Sequence, residues 1–183
     1  MHPDAVLAPA GILEVDGDQL NVVFGTSRDT SDFVADCLEL WWANRQAAHP
    51  GVRRLLINLD NGPEIASSRT QFMKRLVKFS DRHQLTLELA YYPPYHSKYD
   101  LIERCWGILE NHWNGALLKT VETALQWAKT MTWRGVAPIV HLLDRVYETG
   151  VRLSPRAFRP IAARLERSES LPKWILVIHP EPG

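Results

Sequence analysis

The spacing of apolar and polar positions changes several times along the chain, and each change marks an element. ILEVDGDQLNVVFG, residues 12–25, holds two apolar-rich runs around Asp16-Gly17. That dipeptide suits the positive-φ positions of a tight turn, so the segment predicts a β-hairpin. In DTSDFVADCLELWWANRQ, residues Phe33, Cys37, Leu40 and Trp41 recur at helical spacing behind polar residues able to cap a helix. His49-Pro50-Gly51 ends it. In RRLLINLDNG, Leu55, Leu56, Ile57 and Leu59 form an almost continuous apolar run stopped by Asp60-Asn61-Gly62-Pro63. Such a run predicts a strand buried on both faces.

SSRTQFMKRLVKFSDRHQ sets Phe72, Leu76 and Phe79, with Met73 and Val77, in helical register, and LTLELAYYPP reads as another strand. After Tyr99-Asp100 an amphipathic helix begins, with Ile102, Trp106, Leu109 and Trp113 in one stripe. Further helices are predicted over 120–132 and 136–148, and Ser154-Pro155 opens a short one with a cap and a proline at its first position. KWILVI, residues 173–178, predicts an edge or terminal strand, and the first ten residues read as a loose tail. Strands alternating with helices predict an α/β fold: a mixed sheet flanked by helices, with a helical C-terminal extension.

Composition narrows the picture. A chain of 183 residues accommodates one domain with a real core. Lys plus Arg and Asp plus Glu number 21 each, which speaks against free-standing tight DNA binding but leaves room for a local basic patch. The two cysteines, Cys37 and Cys105, sit at apolar helical positions and read as small buried hydrophobes. No signal peptide, membrane-length apolar run or lipidation motif is present, so a reducing cytoplasm is the expectation. The histidines form no H-x-x-x-H or H-x-x-E-H pattern, and neither zinc-spaced cysteines, a G-x-S-x-G elbow nor a phosphate-binding glycine loop occurs.

The carboxylates are more informative. Asp60 ends a predicted central strand, and carboxyl ends of strands are where open α/β sheets build ligand sites. Asp-Asn-Gly is also ordinary turn chemistry. Glu103 stands in the first turn of its helix, where an acidic side chain gains up to about 1 kcal/mol from the macrodipole. It heads a row with Gly107, Glu110 and Asn114, and Gly107 leaves a gap beside it at a cost of about 1 kcal/mol in helix propensity. A solvated glutamate is one reading of that row, and a carboxylate open to an ion or phosphate is the other. Two-metal phosphoryl transfer uses carboxylates in this way, and Mg²⁺ suits one or two carboxylates plus water and phosphate. Clustered carboxylates repel by about 4 kcal/mol per pair at 4 Å and an effective dielectric of 20, so cations complete such a site.

INLDNGPEIASSRTQFMKRL…LAYYPPYHSKYDLIERCWGILENHWNG is similar to the Rhodopirellula-type DDE transposases of bacterial insertion sequences, in the ribonuclease H-like superfamily. The matching positions are Asp60, Pro93-Pro94, Ser97-Lys98-Tyr99 and Ile102-Glu103, with softer matches in NVVFGTSRDTSDFVADCLELWW, Trp113-Asn114-Gly115 and LPKWILVIHP. The resemblance spans roughly residues 12–180. It implies a ribonuclease H-like domain over residues 1–183, with metal-dependent DNA cleavage and transfer. Asp60 and Glu103 would be catalytic, binding Mg²⁺ or Mn²⁺, and Lys98 and Arg69 would meet DNA phosphates. The family's first aspartate lies on a strand before the hairpin. Here Asp4 sits in the tail and Asp16 and Asp18 at the hairpin turn, so that strand and carboxylate are expected to be missing. A catalytic-domain remnant inactive alone is then expected, or a non-catalytic DNA- or protein-binding module of the same ancestry. An unrelated α/β enzyme in which the two carboxylates coincide by chance is the third reading. An exposed strand edge would suit a homodimer or a strand from another polypeptide.

Overall fold

The hairpin forms where the pattern places it but begins earlier. The structure is a computed structural model in which residues 7–93, 100–113 and 120–183 are described. Strand β1 (Ala8–Glu14) pairs antiparallel with β2 (Gln19–Gly25) across a 3-10 turn at Val15–Gly17. The positive φ falls on Asp18, at 52°, rather than on the Asp16-Gly17 dipeptide. Asp tolerates that conformation better than most residues. Here its Oδ1 accepts from the Trp133 indole at 3.3 Å and the Arg134 guanidinium at 3.1 Å.

The chain divides into two compact units, Met1–Asp29 with Lys98–Tyr147, and Thr30–Ser97 with Glu148–Gly183. In the first, β2 is the middle of a three-stranded sheet ordered β1-β2-β5. Strand β5 (Ile139–Leu143) runs parallel to β2, with Asn21 opposite Ile139. The predicted helix over 136–148 is therefore overturned. Ile139-Val140-His141-Leu142-Leu143 is a short apolar run that periodicity cannot separate from a helix, and pairing with β2 decides it. The expected helical C-terminal extension becomes two helices, α4 (Val121–Thr130) and α5 (Pro155–Ala162), among three strands.

The α3 helix (Leu101–Trp113) buries Cys105 and Leu109 against Leu20, Val22 and Phe24 of β2, together with Met131 and Trp133. Ile102, Trp106 and Trp113 pack around that cluster. The helix therefore turns a face centred on Cys105 and Leu109 inward, offset from the expected stripe. Gly11 lets it approach β1, since a Cβ there would lie 2.8 Å from Trp106 Cζ2. Thr120 caps α4, its Oγ1 accepting the Thr123 N–H at 3.1 Å.

The second unit holds a sheet ordered β3-β4-β7-β6. Strands β3 (Arg54–Leu59) and β4 (Thr86–Tyr91) are parallel, β7 (Ile175–Ile178) is antiparallel to β4, and β6 (Leu165–Arg167) is antiparallel to β7. KWILVI thus supplies an interior strand, not an edge. Strand β3, expected to be buried on both faces, is an edge strand. Its burial alternates, and Leu56 is 62% exposed. On that open face Arg54 pairs with Glu88 across the sheet at 2.5 Å.

Helices α1 (Ser31–Arg45) and α2 (Thr70–His83) behave as their patterns predict. Phe33, Cys37 and Trp41 of α1 and Phe72, Met73, Leu76, Val77 and Phe79 of α2 are buried. At about 1.5–3 kcal/mol for each large apolar side chain, α2 is well anchored. Arg75 ties the two helices, donating to Asp32 at 2.6 Å and to Asp36. The two carboxylates hold its guanidinium charged, outweighing the opposing effect of burial. Helix α5, which starts at Pro155 with Ser154 Oγ accepting the Ala157 N–H at 3.2 Å, packs against α2.

Candidate functional site

Asp60 follows the last residue of β3. Its Oδ1 accepts the Gly62 N–H at 3.1 Å, the local turn bond that Asp-x-Gly favours. A Cβ on Gly62 would stand 3.1 Å from that same oxygen, so glycine permits the close approach. Oδ2 has no partner among the described residues, and the side chain faces solvent. The turn role and an open carboxylate coexist.

The loop after Asp60 is braced from several sides. Gly62 O accepts the N–H groups of Ile65 and Ala66 at 3.2 and 3.0 Å. Arg69 donates to Pro63 O and, at 2.9 Å, to Glu64 Oε1. Ser31 Oγ donates to Glu64 O at 2.6 Å, and Tyr91 Oη to Ile65 O at 2.6 Å. Burial pushes the Tyr91 phenol far above its ordinary range; Asp60's charge acts in the same direction and Arg167 against it. Tyr91 thus remains a neutral donor holding the loop. Ser31 and Tyr91 carried no local sequence signal, because each donates to a backbone carbonyl distant in the chain.

Glu103 occupies the first turn of α3 and is exposed. The helix start is fixed by Asp100, a buried side chain whose Oδ1 accepts the Ile102 N–H at 3.2 Å. Beside Glu103 lies an open cavity of about 290 Å³ lined by Pro9, Glu103, Trp106, Leu109, Glu110 and Trp113. A Cβ at Gly107 would meet nothing within 4 Å, so the glycine leaves open space on this flank and is not required by packing. Trp113 Nε1 is buried without a hydrogen-bond partner among the described residues. Two rows that the sequence showed separately, aromatic and acidic, border one hollow.

Asp60 belongs to the second unit and Glu103 to the first. Lys98, Pro94 and the rest of the Ser97-Lys98-Tyr99 motif lie outside the described residues, as do Asp4, Asn114 and Gly115. Arg69 is described, and its guanidinium braces the Asp60 loop. Among the described residues no three His, Cys, Asp or Glu side chains gather as a metal-binding set.

Residues 2–180 match the family of the Rhodopirellula transposase DDE domain. The chain belongs to that family. Neither curated proteins nor solved structures gave a match. DDE transposase domains use divalent metal ions. Exposed carboxylates are the hard oxygen donors that Mg²⁺ or Mn²⁺ prefers, and both Asp60 and Glu103 fit that donor chemistry. The mixed α/β architecture agrees with the ribonuclease H-like class expected of this transposase family. No described helix is long and apolar enough to cross a membrane.

Proposed function

We propose that this polypeptide works on DNA as part of an insertion-sequence transposase, with Asp60 and Glu103 as two of its metal-holding carboxylates. The observation that carries this reading is the setting of Asp60. It directly follows a strand parallel to its neighbour, in a braced and exposed loop, within a chain matched to the DDE family almost throughout. Asp60 Oδ2, which has no partner among the described residues, and the Glu103 carboxylate would each serve as an oxygen ligand to the metal. Bound Mg²⁺ or Mn²⁺ supplies Lewis-acid stabilisation of attacking and leaving oxygens in phosphoryl transfer. Arg69 steadies the Asp60 loop and, with Lys98, is our candidate for phosphate contact. The cytoplasm, where bacterial DNA lies, is the compartment this role requires.

The 183-residue polypeptide is not a complete cutting centre by itself in this reading. Asp16 lies in the 3-10 turn and Asp18 is engaged by Trp133 and Arg134, so neither is poised as the third carboxylate. Catalytic groups that act as a unit fail together, by about 10⁴-fold or more when one is lost. The test is nicking of supercoiled DNA with Mn²⁺ by this polypeptide, beside Asp60→Asn and Glu103→Gln. Little cutting by all three is expected. Robust cutting that disappears in Asp60→Asn would overturn the incompleteness while supporting the site. A homodimer through an exposed strand edge, or a strand supplied by another polypeptide, is the partnership we favour, because β1 and β3 are each terminal in their sheets.

A further inference from the structure

The charges of this chain balance overall, yet residues 149–165 contain Arg152, Arg156, Arg159 and Arg164 and no acidic residue. The segment is fastened to α2 at two points. Leu153 N–H donates to Thr70 Oγ1 at 2.9 Å, and Arg164 donates to Asp81 Oδ1 and Oδ2 at 2.6 and 3.1 Å. Helix α5 therefore runs beside α2 from Thr70 towards Asp81. On α2, positions three and four apart share a face, so Thr70, Lys74, Lys78 and Asp81 form one strip. Lys74 and Lys78 stand on the strip that α5 flanks.

Five cations on α2, on α5 and in the segment leading into α5 lack a compensating partner among the described residues. Lys78, Arg152, Arg156 and Arg159 are exposed and Lys74 is half-buried. None of the five has an ion pair or side-chain hydrogen bond among the described residues. Acidic side chains on and beside α1 and α2 are engaged by other cations: Asp81 and Glu181 by Arg164, Asp32 and Asp36 by Arg75, and Glu39 by Arg82 and His83. Glu148 instead lines a crevice at the start of α1. The apolar residues of α5, Phe158 and Ile161, are half-buried, so the face offers charge without an apolar wedge or an aromatic stacking platform. Such a face suits a continuous polyanion more than a membrane, an unstacked single strand or an amphipathic peptide.

We propose that the α2–α5 face, through Lys74, Lys78, Arg152, Arg156 and Arg159, contacts the phosphate backbone of duplex DNA. It extends the DNA reading given above and adds a surface distinct from Asp60 and Glu103. Guanidinium groups bind phosphate through paired N–H donors. Each phosphate neutralised contributes about 0.9 to the slope of log K against log salt.

The experiment is a salt titration of binding to a fluorescent DNA duplex by the unmodified 183-residue protein and three variants. One combines Arg152→Gln, Arg156→Gln and Arg159→Gln; a second combines Lys74→Gln and Lys78→Gln. A control combines Arg28→Gln, Lys129→Gln and Lys173→Gln, and circular dichroism verifies that each is folded. The triple arginine variant is expected to bind at least about tenfold more weakly and to flatten the salt slope by about 2–3. The lysine variant should flatten it by about 1–2, and the control should do neither. Unchanged affinity and slope in the arginine variant would overturn the α2–α5 surface alone. Equal losses in the control would also overturn it, since net charge would then explain the binding. Duplex RNA bound equally well would overturn the assignment to DNA. No DNA binding by the unmodified protein would overturn both this surface and the DNA reading on which it rests.

Discussion

Gly11 has little room for any larger residue. A Cβ there would lie 2.8 Å from Trp106 Cζ2 and 3.0 Å from Ile102 Cδ1, so α3 or the Trp106 ring must shift to admit it. Gly11→Ala is expected to cost about 1–3 kcal/mol by overpacking, read as a lower urea midpoint with an unchanged slope. An unchanged midpoint would mean that the ring moves freely. Cys105 makes a different prediction. Burial pushes its thiol up to about 11, while an unfolded thiol ionises near about 8.5. Between those values the folded state holds the proton that the unfolded state has lost, so stability falls as pH rises through that window. Below it the thiol makes no difference. Thermal melting at mildly alkaline against neutral pH should fall further for the unmodified protein than for Cys105→Ala, and equal losses would refute the assignment. At this scale the sequence was a good guide to both cysteines, whose apolar helical positions indicated burial. It was mute on Gly11, because the Trp106 ring it meets belongs to an element far along the chain.

Among the elements, β3 departs most from its pattern. Four apolar residues in five suggested a strand covered on both faces, yet Leu56 points to solvent and, among the described residues, only β4 pairs with β3. An apolar edge of this kind invites pairing unless blunted by charge or proline. The unmodified protein is expected to self-associate at micromolar concentration by light scattering, and Leu56→Lys to be monomeric with little change in melting temperature. A clean monomer for the unmodified chain would sink the idea. Where one face alone is buried, as in α2 and β4, the pattern read correctly. It failed at β5, whose partner Asn21 lies opposite Ile139. A short apolar run carries no mark of a distant partner, and tertiary pairing decides between helix and strand.

For the whole molecule, the family motif was legible because Asp60 and Glu103 sit at element boundaries that turn and helix-start signals mark. The braces of the Asp60 loop and the uncompensated cations beside α2 were not, since both depend on which distant segments lie side by side. The chain passes between its two units, each assembled from separate stretches of sequence. Strand β7 shows what that implies in time. It fills the middle of the second sheet, with Ile175 opposite Ala90 and Leu176 between Leu89 and Arg167. During synthesis β3 and β4 emerge long before it, and β4 then holds an open apolar edge. Pairings of such long sequence separation form late, so this sheet closes only after residues 175–178 have been made. Until then the open edge of β4 leaves the nascent chain exposed to aggregation.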